Sequence, residues 1–414
     1  MNELELKGSN AKKASYSLMN MSTSKKNEIL KEIGIALRNN SSIIIEANKI
    51  DIANAIKNNL SIGIIDRLTL NVDRIEAIAI GVDKLIQIED PIGSVIKMSK
   101  RPNGLTIGQK RVPLGVVGMI YEARPNVSVD AAALCIKSGN AVMLRGSKTA
   151  INSNIALVNI MKEALNKVGV STGCIELIED TSHETANKFM QLNEYLSVII
   201  PRGGANLIKA TIDNATVPVI ETGTGNCHTY VDASADLDMA LKIILNAKTQ
   251  RTSVCNACES LVLHSSIAAQ FLKLAVPALK AANVKIHGCK RCCALSPDLI
   301  LATEEDYACE YLALELSIII VDELSEAIEH INKYSTHHSE TIVTSNYDAS
   351  QIFLDCIDSA CVYVNASTRF SDGFEFGFGA EIGISNQKIH ARGPMGLEAL
   401  TTIKYIIYGN GQIR

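Results

Sequence analysis

The sequence predicts an α/β protein built on parallel sheets with helices on both faces. From about residue 114 onward, short apolar runs alternate with segments of helical periodicity, which is typical of repeated βαβ units. The predicted strands are apolar throughout instead of alternating, as expected of strands covered on both faces. Glycine and polar residues follow several of these strands, where open α/β sheets bind their ligands.

The composition indicates a folded protein with two or three domains. The chain has 414 residues, of which 47% are hydrophobic, enough for more than one core. A net charge of −4 and a pI near 6.1 argue against a nucleic-acid partner. No apolar run approaches the roughly 20 residues of a membrane span, and residues 1–7 lack a signal-peptide pattern. We therefore expect no membrane partner and a cytoplasmic location.

Residues 11 to about 90 are expected to be helical, followed by a hairpin. Ile29, Ile33 and Leu37 recur at helical spacing. From residue 102 the pattern changes: Asn103-Gly104 is a turn signal, and the short runs 105–108 and 112–115 follow it. Such a pair predicts a β-hairpin, which we expect to project from the body.

Two blocks of alternating elements follow the hairpin. The first has predicted strands over 116–121, 141–145, 174–178 and 196–200, and helices over 126–137, 150–168, 184–191 and 205–212. The second has predicted strands over 227–231, 261–263, 284–287, 318–321, 341–343 and 362–365, and helices over 237–248, 267–282 and 324–333. Segment 290–297 is expected to be irregular, segment 370–378 to be a loop, and tail 401–408 to be a strand.

Cys255 is the first candidate catalytic residue. It lies in a polar junction between a predicted helix and a predicted strand, close to Arg251. Backbone N–H groups and a nearby cation favour the thiolate, which is the nucleophilic form. A buried structural thiol is the alternative. The polar neighbours favour the catalytic interpretation, whereas Cys258, which leads into an apolar run, is expected to pack in the core.

Eleven cysteines in a chain without a signal peptide predict reduced thiols. Two C-x-x-C pairs occur, Cys255/Cys258 and Cys289/Cys292, with Cys293 beside the second pair. A zinc site is one alternative, although the gap of roughly 30 residues is longer than usual for paired C-x-x-C ligands. A thioredoxin-like redox pair is another, but no such motif precedes Cys255. We expect no metal.

Two loops after predicted strands indicate a nucleotide site. Gly203-Gly204 would allow the backbone to approach a phosphate closely. A double glycine alone is typical of an ordinary turn, and the G-x-G-x-x-G fingerprint is missing from the sequence. Together with Ser147 and Lys148 in the other loop, it indicates a nucleotide site at the carboxyl ends of the strands.

Six segments spread over the chain carry a family resemblance. They are residues 112–126, 144–148, 221–228, 250–257, 372–385 and 390–400. In this order they resemble the aldehyde dehydrogenase superfamily, most closely its branch of acyl-phosphate reductases in proline synthesis. The resemblance implies a Rossmann-like cofactor-binding domain over 1–100 and 114–225, an α/β catalytic domain over 226–395, and a β oligomerisation arm over 101–113 and 396–414.

The resemblance also implies a role for each matched position. Cys255 is expected to be the acyl-accepting nucleophile, and Asn126 to help hold the oxyanion. Glu221 matches the glutamate that activates water in hydrolytic relatives, a role that an acyl-phosphate reductase does not need, so its role stays open. The expected cofactor-binding residues are Arg145, Ser147 and Lys148 at the adenosine ribose, Gly203 and Gly204 at the pyrophosphate, and Glu310 at the nicotinamide ribose.

The implied reaction is the NADPH-dependent reduction of L-glutamyl 5-phosphate to L-glutamate 5-semialdehyde and phosphate through a thioester on Cys255. The cation of Lys148 favours the 2′-phosphate of NADPH; a lysine that only contacts solvent is the alternative. A homo-oligomer, in which segments 105–108 and 403–408 pair across subunits, and substrate hand-over from glutamate 5-kinase are also expected. The rival hypotheses are an NAD-dependent aldehyde oxidiser, a zinc-stabilised binding module and a catalytically silent homologue.

Some residues depart from the branch pattern. Thr252 stands where a proline is common, and Cys258 where a residue without a thiol is common. Segment 290–294 matches no family motif. None of these departures removes a catalytic position.

Overall fold

The computed structural model describes residues 2–414, which separate into two compact units. Unit 1 contains the residues up to Thr222 together with Gly377–Gly383 and Met395–Arg414. Unit 2 contains Gly223–Phe376 and Ile384–Pro394. Within the described residues, the helices are all too short or too polar to span a membrane. The predicted α/β class is confirmed, and the predicted domain boundaries stay a prediction.

Unit 1 combines helices with two sheets. Its α-helices are α1 (Glu3–Met19), α2 (Thr23–Asn39), α3 (Ser41–Lys57), α4 (Ile62–Leu68), α5 (Val72–Gln87), α6 (Asn126–Lys137), α7 (Ile151–Lys167), α8 (His183–Phe189) and α9 (Ala205–Asn214). Its strands before Thr222 are β1 (Val95–Lys100), β2 (Thr106–Pro113), β3 (Val116–Tyr121), β4 (Ala141–Gly146), β5 (Ile175–Leu177) and β6 (Val198–Arg202).

The larger sheet of unit 1 is parallel and has the order β5-β4-β3-β6. Every residue of β3 and β4 is buried. This burial explains why the two strands are nearly continuous apolar runs in the sequence. Tyr121 pairs with Gly146 on one side and with Arg202 on the other. The loops after β3, β4 and β6 therefore lie at one edge of this sheet.

The helical prediction for the N-terminal region is confirmed, with an earlier start. Helix α1 begins at Glu3, because the side chain of Asn2 accepts the backbone N–H of Glu5 in a capping box. In α2 the predicted stripe of Ile29, Ile33 and Leu37 is fully buried.

Unit 2 is built around one large sheet. Its strands are β7 (Cys227–Val231), β8 (Cys258–His264), β9 (Lys285–Gly288), β10 (Ile300–Leu301), β11 (Glu315–Val321), β12 (Ser339–Val343), β13 (Cys361–Val364), β14 (Ile384–Ser385) and β15 (Gly393–Pro394). Its α-helices are α10 (Leu237–Thr249), α11 (Ser265–Ala281), α12 (Lys290–Leu295), α13 (Glu304–Ala308), α14 (Leu324–Tyr334) and α15 (Tyr347–Cys356). Strands β7 to β13 form a parallel sheet in the order β10-β9-β11-β8-β7-β12-β13, and β14 and β15 form a separate antiparallel pair.

Two expectations for unit 2 were wrong in part, and several of its elements, among them α15, were not predicted. Segment 290–297 is not irregular, since it contains the short helix α12. Helix α15 lacks a predicted counterpart; it is capped by Asn346 and buries Phe353, but its polar first turn hides the periodicity. Strand β8 begins three residues earlier than expected, because Cys258 already pairs with Cys227.

The second sheet of unit 1 is the antiparallel sheet β1-β2-β16, in which β16 is Thr401–Tyr408. The predicted turn is confirmed: β1 and β2 pair from Lys100 and Thr106, across a turn in which Gly104 has φ +89°. Runs 105–108 and 112–115 are not the two strands of the hairpin, because Thr106–Pro113 is the single strand β2. Strand β1 itself was missed. Both faces of this sheet expose apolar side chains, including Val95, Tyr405 and Ile407.

Candidate active site and cofactor cavity

Cys255 lies in the loop between α10 and β8 and is half-buried. A side chain at Gly225 would overlap the carbonyl group of Cys255 and would place its Cβ 2.7 Å from the Cys255 Cα. The Sγ of Cys227 donates to the same carbonyl oxygen over 3.2 Å. The backbone of Cys255 is therefore supported directly by segment 225–227, and only glycine fits beneath it.

Asn256 fixes the other side of this loop. Its Nδ2 donates to the carbonyl oxygen of Ser371 over 2.9 Å, and Thr368 Oγ1 donates to the Asn256 carbonyl over 2.8 Å. Asn256 itself is buried. The residue after the candidate nucleophile is thus held through both its side chain and its main chain.

Arg369 supplies a positive charge near Cys255. Its guanidinium donates to Asn256 Oδ1 and, over 3.0 Å, to Gln250 Oε1. Burial lowers the pKa of Arg369, while its attraction to the thiolate form of Cys255 acts in the opposite direction. A nearby cation favours a thiolate. Sequence reasoning missed Arg369, because it lies 113 residues from Asn256, and named Arg251 instead.

Cys258 has a different environment. It is fully buried in β8, and its Sγ lies 3.3 Å from Thr229 Oγ1. Burial raises the pKa of Cys258 to about 12. The expectation that this thiol packs in the core is confirmed.

Glu310 reaches the segment that supports Cys255. Its Oε1 accepts the backbone N–H of Gly225 over 2.6 Å. The structure thus brings the predicted residues Glu310 and Cys255 together through one glycine. In this arrangement the carboxylate of Glu310 orders the 223–226 segment.

None of the eleven cysteines is in a disulfide within residues 2–414. Among these residues, no group of three or more His, Cys, Asp and Glu side chains has an arrangement that could hold a metal ion.

Asn126 is the first residue of α6 in unit 1. Its Nδ2 donates to Asp130 Oδ2 over 2.9 Å, a contact between neighbouring turns of the helix. Burial raises the pKa of Asp130 to about 6, although the bond from Asn126 and the charge of Arg202 oppose this shift. Asp130 therefore orients the amide of Asn126. Sequence reasoning missed it, although the spacing of four residues was a usable signal.

A cavity of about 880 Å³ lies in unit 1 at the edge formed by the carboxyl ends of β3 and β4. Three predicted cofactor residues, Arg145, Ser147 and Lys148, line it. The volume is in the range of small-molecule sites, and the position is where open α/β sheets bind nucleotides. Basic and hydroxyl side chains in one such cavity fit the ribose and phosphate groups of a nicotinamide cofactor.

Arg145 and Ser147 also have partners within unit 1. The buried guanidinium of Arg145 donates through Nη2 to the carbonyl oxygens of Thr181 and Ser182, over 2.8 and 2.9 Å. Ser147 Oγ accepts the backbone N–H of Ala123 over 3.3 Å. Both side chains therefore shape the cavity wall, whereas Lys148 is exposed.

Gly203 and Gly204 lie directly before α9, whose residues Asn206 and Leu207 line the cavity. The backbone N–H of Gly204 donates to Glu122 Oε2 over 3.0 Å. A Cβ at Gly203 would come within 2.6 Å of the same oxygen. Sequence reasoning missed Glu122, a cavity residue that occupies the turn where a pyrophosphate was expected.

The fold agrees with the comparisons to known proteins. Residues 3–294 match the aldehyde dehydrogenase family, and the chain belongs to this family. It is 58% identical over 413 residues to the gamma-glutamyl phosphate reductase of Clostridium perfringens strain SM101, covering 100% of both chains. It is 56% identical over 418 residues to the gamma-glutamyl phosphate reductase of Caldicellulosiruptor bescii, again over 100% of both.

Solved structures are also similar to this chain. The crystal structure of gamma-glutamyl phosphate reductase from Thermotoga maritima matches with a TM-score of 0.97 and 47% identity over 100% of both chains. An acetylating aldehyde dehydrogenase from Geobacillus thermoglucosidasius matches with a TM-score of 0.73 at 18% identity, over 100% of this chain and 97% of that chain. This second likeness concerns the fold alone.

Proposed function

We propose that this chain reduces L-glutamyl 5-phosphate to L-glutamate 5-semialdehyde and phosphate in proline biosynthesis. The observation that carries the proposal is the supported, half-buried Cys255 beside Arg369, in a chain that is 58% identical over its full length to a gamma-glutamyl phosphate reductase. Within the aldehyde dehydrogenase family, the resemblance to this branch selects an acyl phosphate as substrate.

Cys255 is the proposed nucleophile. Its thiolate attacks the acyl carbon, the bond from that carbon to the phosphate oxygen breaks, and phosphate leaves, so that a thioester remains on Cys255. Arg369 favours the thiolate before attack. Asn126 is proposed to donate to the oxyanion, with its amide oriented by Asp130.

The family implies a nicotinamide cofactor, and we propose NADPH. When bound, it would supply the hydride that converts the thioester to the aldehyde. Arg145, Ser147 and Lys148 would hold its adenosine end in the cavity of unit 1, with the ammonium group of Lys148 at the 2′-phosphate. Gly203 and Gly204 are proposed at the pyrophosphate, and Glu310 at the nicotinamide ribose.

We also propose a cytoplasmic homo-oligomer that receives its labile substrate from glutamate 5-kinase. The exposed apolar residues of the antiparallel sheet β1-β2-β16 support association through that sheet. Pairing of β2 with β16 across subunits, which the sequence suggested, is wrong. These strands pair within one chain, from Thr106 with Tyr408 to Pro113 with Thr401.

The reverse reaction tests the proposed function. The full-length protein is incubated with glutamate 5-semialdehyde and NADP, and NADPH formation is followed with and without inorganic phosphate. We expect sustained turnover only with phosphate, because the thioester then has an acceptor. Sustained formation of a carboxylate without phosphate would identify an aldehyde oxidiser that uses water.

A further inference from the structure

Cys289, Cys292 and Cys293 form a thiol cluster in unit 2 that the proposed reaction does not use. Cys289 directly precedes α12 and is half-buried, whereas Cys292 is fully buried in α12. The Sγ atoms of Cys289 and Cys292 lie 3.5 Å apart. A disulfide needs about 2.05 Å, so a small side-chain movement would join the two.

The two thiols have opposite electrostatic environments. A hydrogen bond from Cys292 is the main cause that lowers the pKa of Cys289 to about 5, helped by the backbone N–H groups of Cys292, Ile320 and Arg291 and opposed by burial. The same bond and burial raise the pKa of Cys292. Two other ionisable groups interact electrostatically with this pair. Arg291, which also bonds to Asp322, interacts with Cys289, and Tyr307 interacts with both thiols.

Cys293 is directed elsewhere. Its Sγ lies 3.4 Å from the carbonyl oxygen of Gly288, to which it donates, and it is half-buried. The geometry therefore selects Cys292, and not Cys293, as the partner of Cys289.

We propose that Cys289 and Cys292 form a thiol–disulfide exchange site that reacts with low-molecular-weight disulfides. The Cys289 thiolate attacks one sulfur of the disulfide, whose S–S bond breaks and releases one thiolate, which takes a proton from water. Cys292 then loses its proton and attacks the Cys289 sulfur of the mixed disulfide, releasing the second thiolate. Two protein thiols are oxidised to one disulfide, and one external disulfide is reduced to two thiols.

Alkylation rates test which thiol attacks. A thiol of ordinary pKa, about 8.5, is compared with Cys289, whose pKa is lowered to about 5. At pH 6 this raises the thiolate fraction roughly 300-fold. The rate constant of each thiolate is roughly 30-fold lower, because nucleophilicity falls with the pKa. Cys289 should therefore react about tenfold faster than an ordinary thiol at pH 6.

The exposed Cys356 is the reference inside the same chain. Full-length protein is labelled briefly with iodoacetamide and quantified peptide by peptide. We expect Cys289 to be labelled at least fivefold faster than Cys356 at pH 6, and more slowly than Cys356 at pH 9. If exposure alone governs the rates, Cys356 leads at both pH values and Cys289 is not the attacking thiol.

Oxidised glutathione tests the exchange itself, independently of catalytic activity. After incubation at pH 7 and digestion without reduction, we expect a Cys289–Cys292 disulfide that retains no glutathione. Cys292→Ala should instead keep one glutathione on Cys289, and the matched control Cys293→Ala should still close the disulfide. A stable glutathione adduct on Cys289 of the parent, a bridge to Cys293, or no reaction would each overturn the proposal.

Discussion

Gly225→Ala tests how the Cys255 loop is supported. The new Cβ would lie 2.7 Å from the Cys255 Cα and closer still to its carbonyl carbon and oxygen, whereas ordinary van der Waals contact begins near 3.4 Å. Because the new Cβ clashes with backbone atoms of Cys255, rotation of a side chain cannot relieve the overlap. The loop must move, and with it the thiol.

The structure sets the size of this effect. Relief of the overlap requires a shift of roughly 1 Å or more, and misplacement by about 1 Å can cost on the order of 10²-fold in rate. We expect Gly225→Ala to lower kcat about 100-fold or more, and overpacking to cost about 1–3 kcal/mol of stability. Gly81→Ala is the matched control: it has open space around it in α5, so it should keep full activity and gain up to about 1 kcal/mol.

The assay is the initial rate of phosphate-dependent NADPH formation, combined with thermal unfolding of both variants. A folded Gly225→Ala enzyme with a kcat within threefold of the parent would refute the argument that segment 223–226 positions Cys255.

Four further predictions concern other parts of the molecule. Lys148→Glu should erode or invert a preference for NADPH over NADH of roughly 10- to 100-fold, since a charge-assisted hydrogen bond contributes about 1.5–3 kcal/mol; the ratio of kcat/KM values measures it. Cys258→Ala should keep near-full activity and lose about 1 kcal/mol of stability, measured by denaturant unfolding. Burial lowers the pKa of His330 to about 3, so the unfolded chain binds a proton that the folded chain does not, and stability should fall by about 1.4 kcal/mol per pH unit below pH 6.5. His330→Phe should remove this dependence in unfolding measurements at pH 5 to 7. Replacing the exposed Tyr405 and Ile407 together by Glu should lower the mass in solution without unfolding the chain.

Each prediction has an outcome that would contradict it. An unchanged cofactor ratio would remove Lys148 from the 2′-phosphate. Loss of activity in Cys258→Ala comparable to that in Cys255→Ala would favour a paired role for the two thiols. Equal pH slopes for the parent and His330→Phe would show that folding does not lower the pKa of His330. An unchanged mass in solution for the Tyr405/Ile407 double variant would exclude these two residues from the proposed subunit interface.

The sequence predicted the elements whose burial is uniform. Strands β3 and β4 are apolar at nearly every position because both faces are covered, so no tertiary knowledge was needed. Strand β1 gave no such signal, since nearly all its residues are exposed. Helix α15 was also missed, because its polar first turn obscures the helical periodicity.

The residues of the candidate site also differ in how far the sequence predicts them. Cys255, Asn126 and Lys148 could be named as candidates from the sequence because each belongs to a continuous motif. Arg369, Glu122 and the contact of Gly225 with Cys255 depend on segments that meet only in the folded chain. The reactivity expected of Cys289 depends on a 3.5 Å thiol contact, which the C-x-x-C spacing alone does not establish.

Detection of the acyl-enzyme tests the central claim most directly. Full-length protein is incubated with glutamate 5-semialdehyde and NADP but without phosphate, quenched in acid, and digested for mass spectrometry. We predict a burst of about one NADPH per subunit and a glutamyl thioester on Cys255, which phosphate discharges and which Cys255→Ala lacks. An acyl group on another residue, or sustained turnover with no adduct on Cys255, would contradict the account.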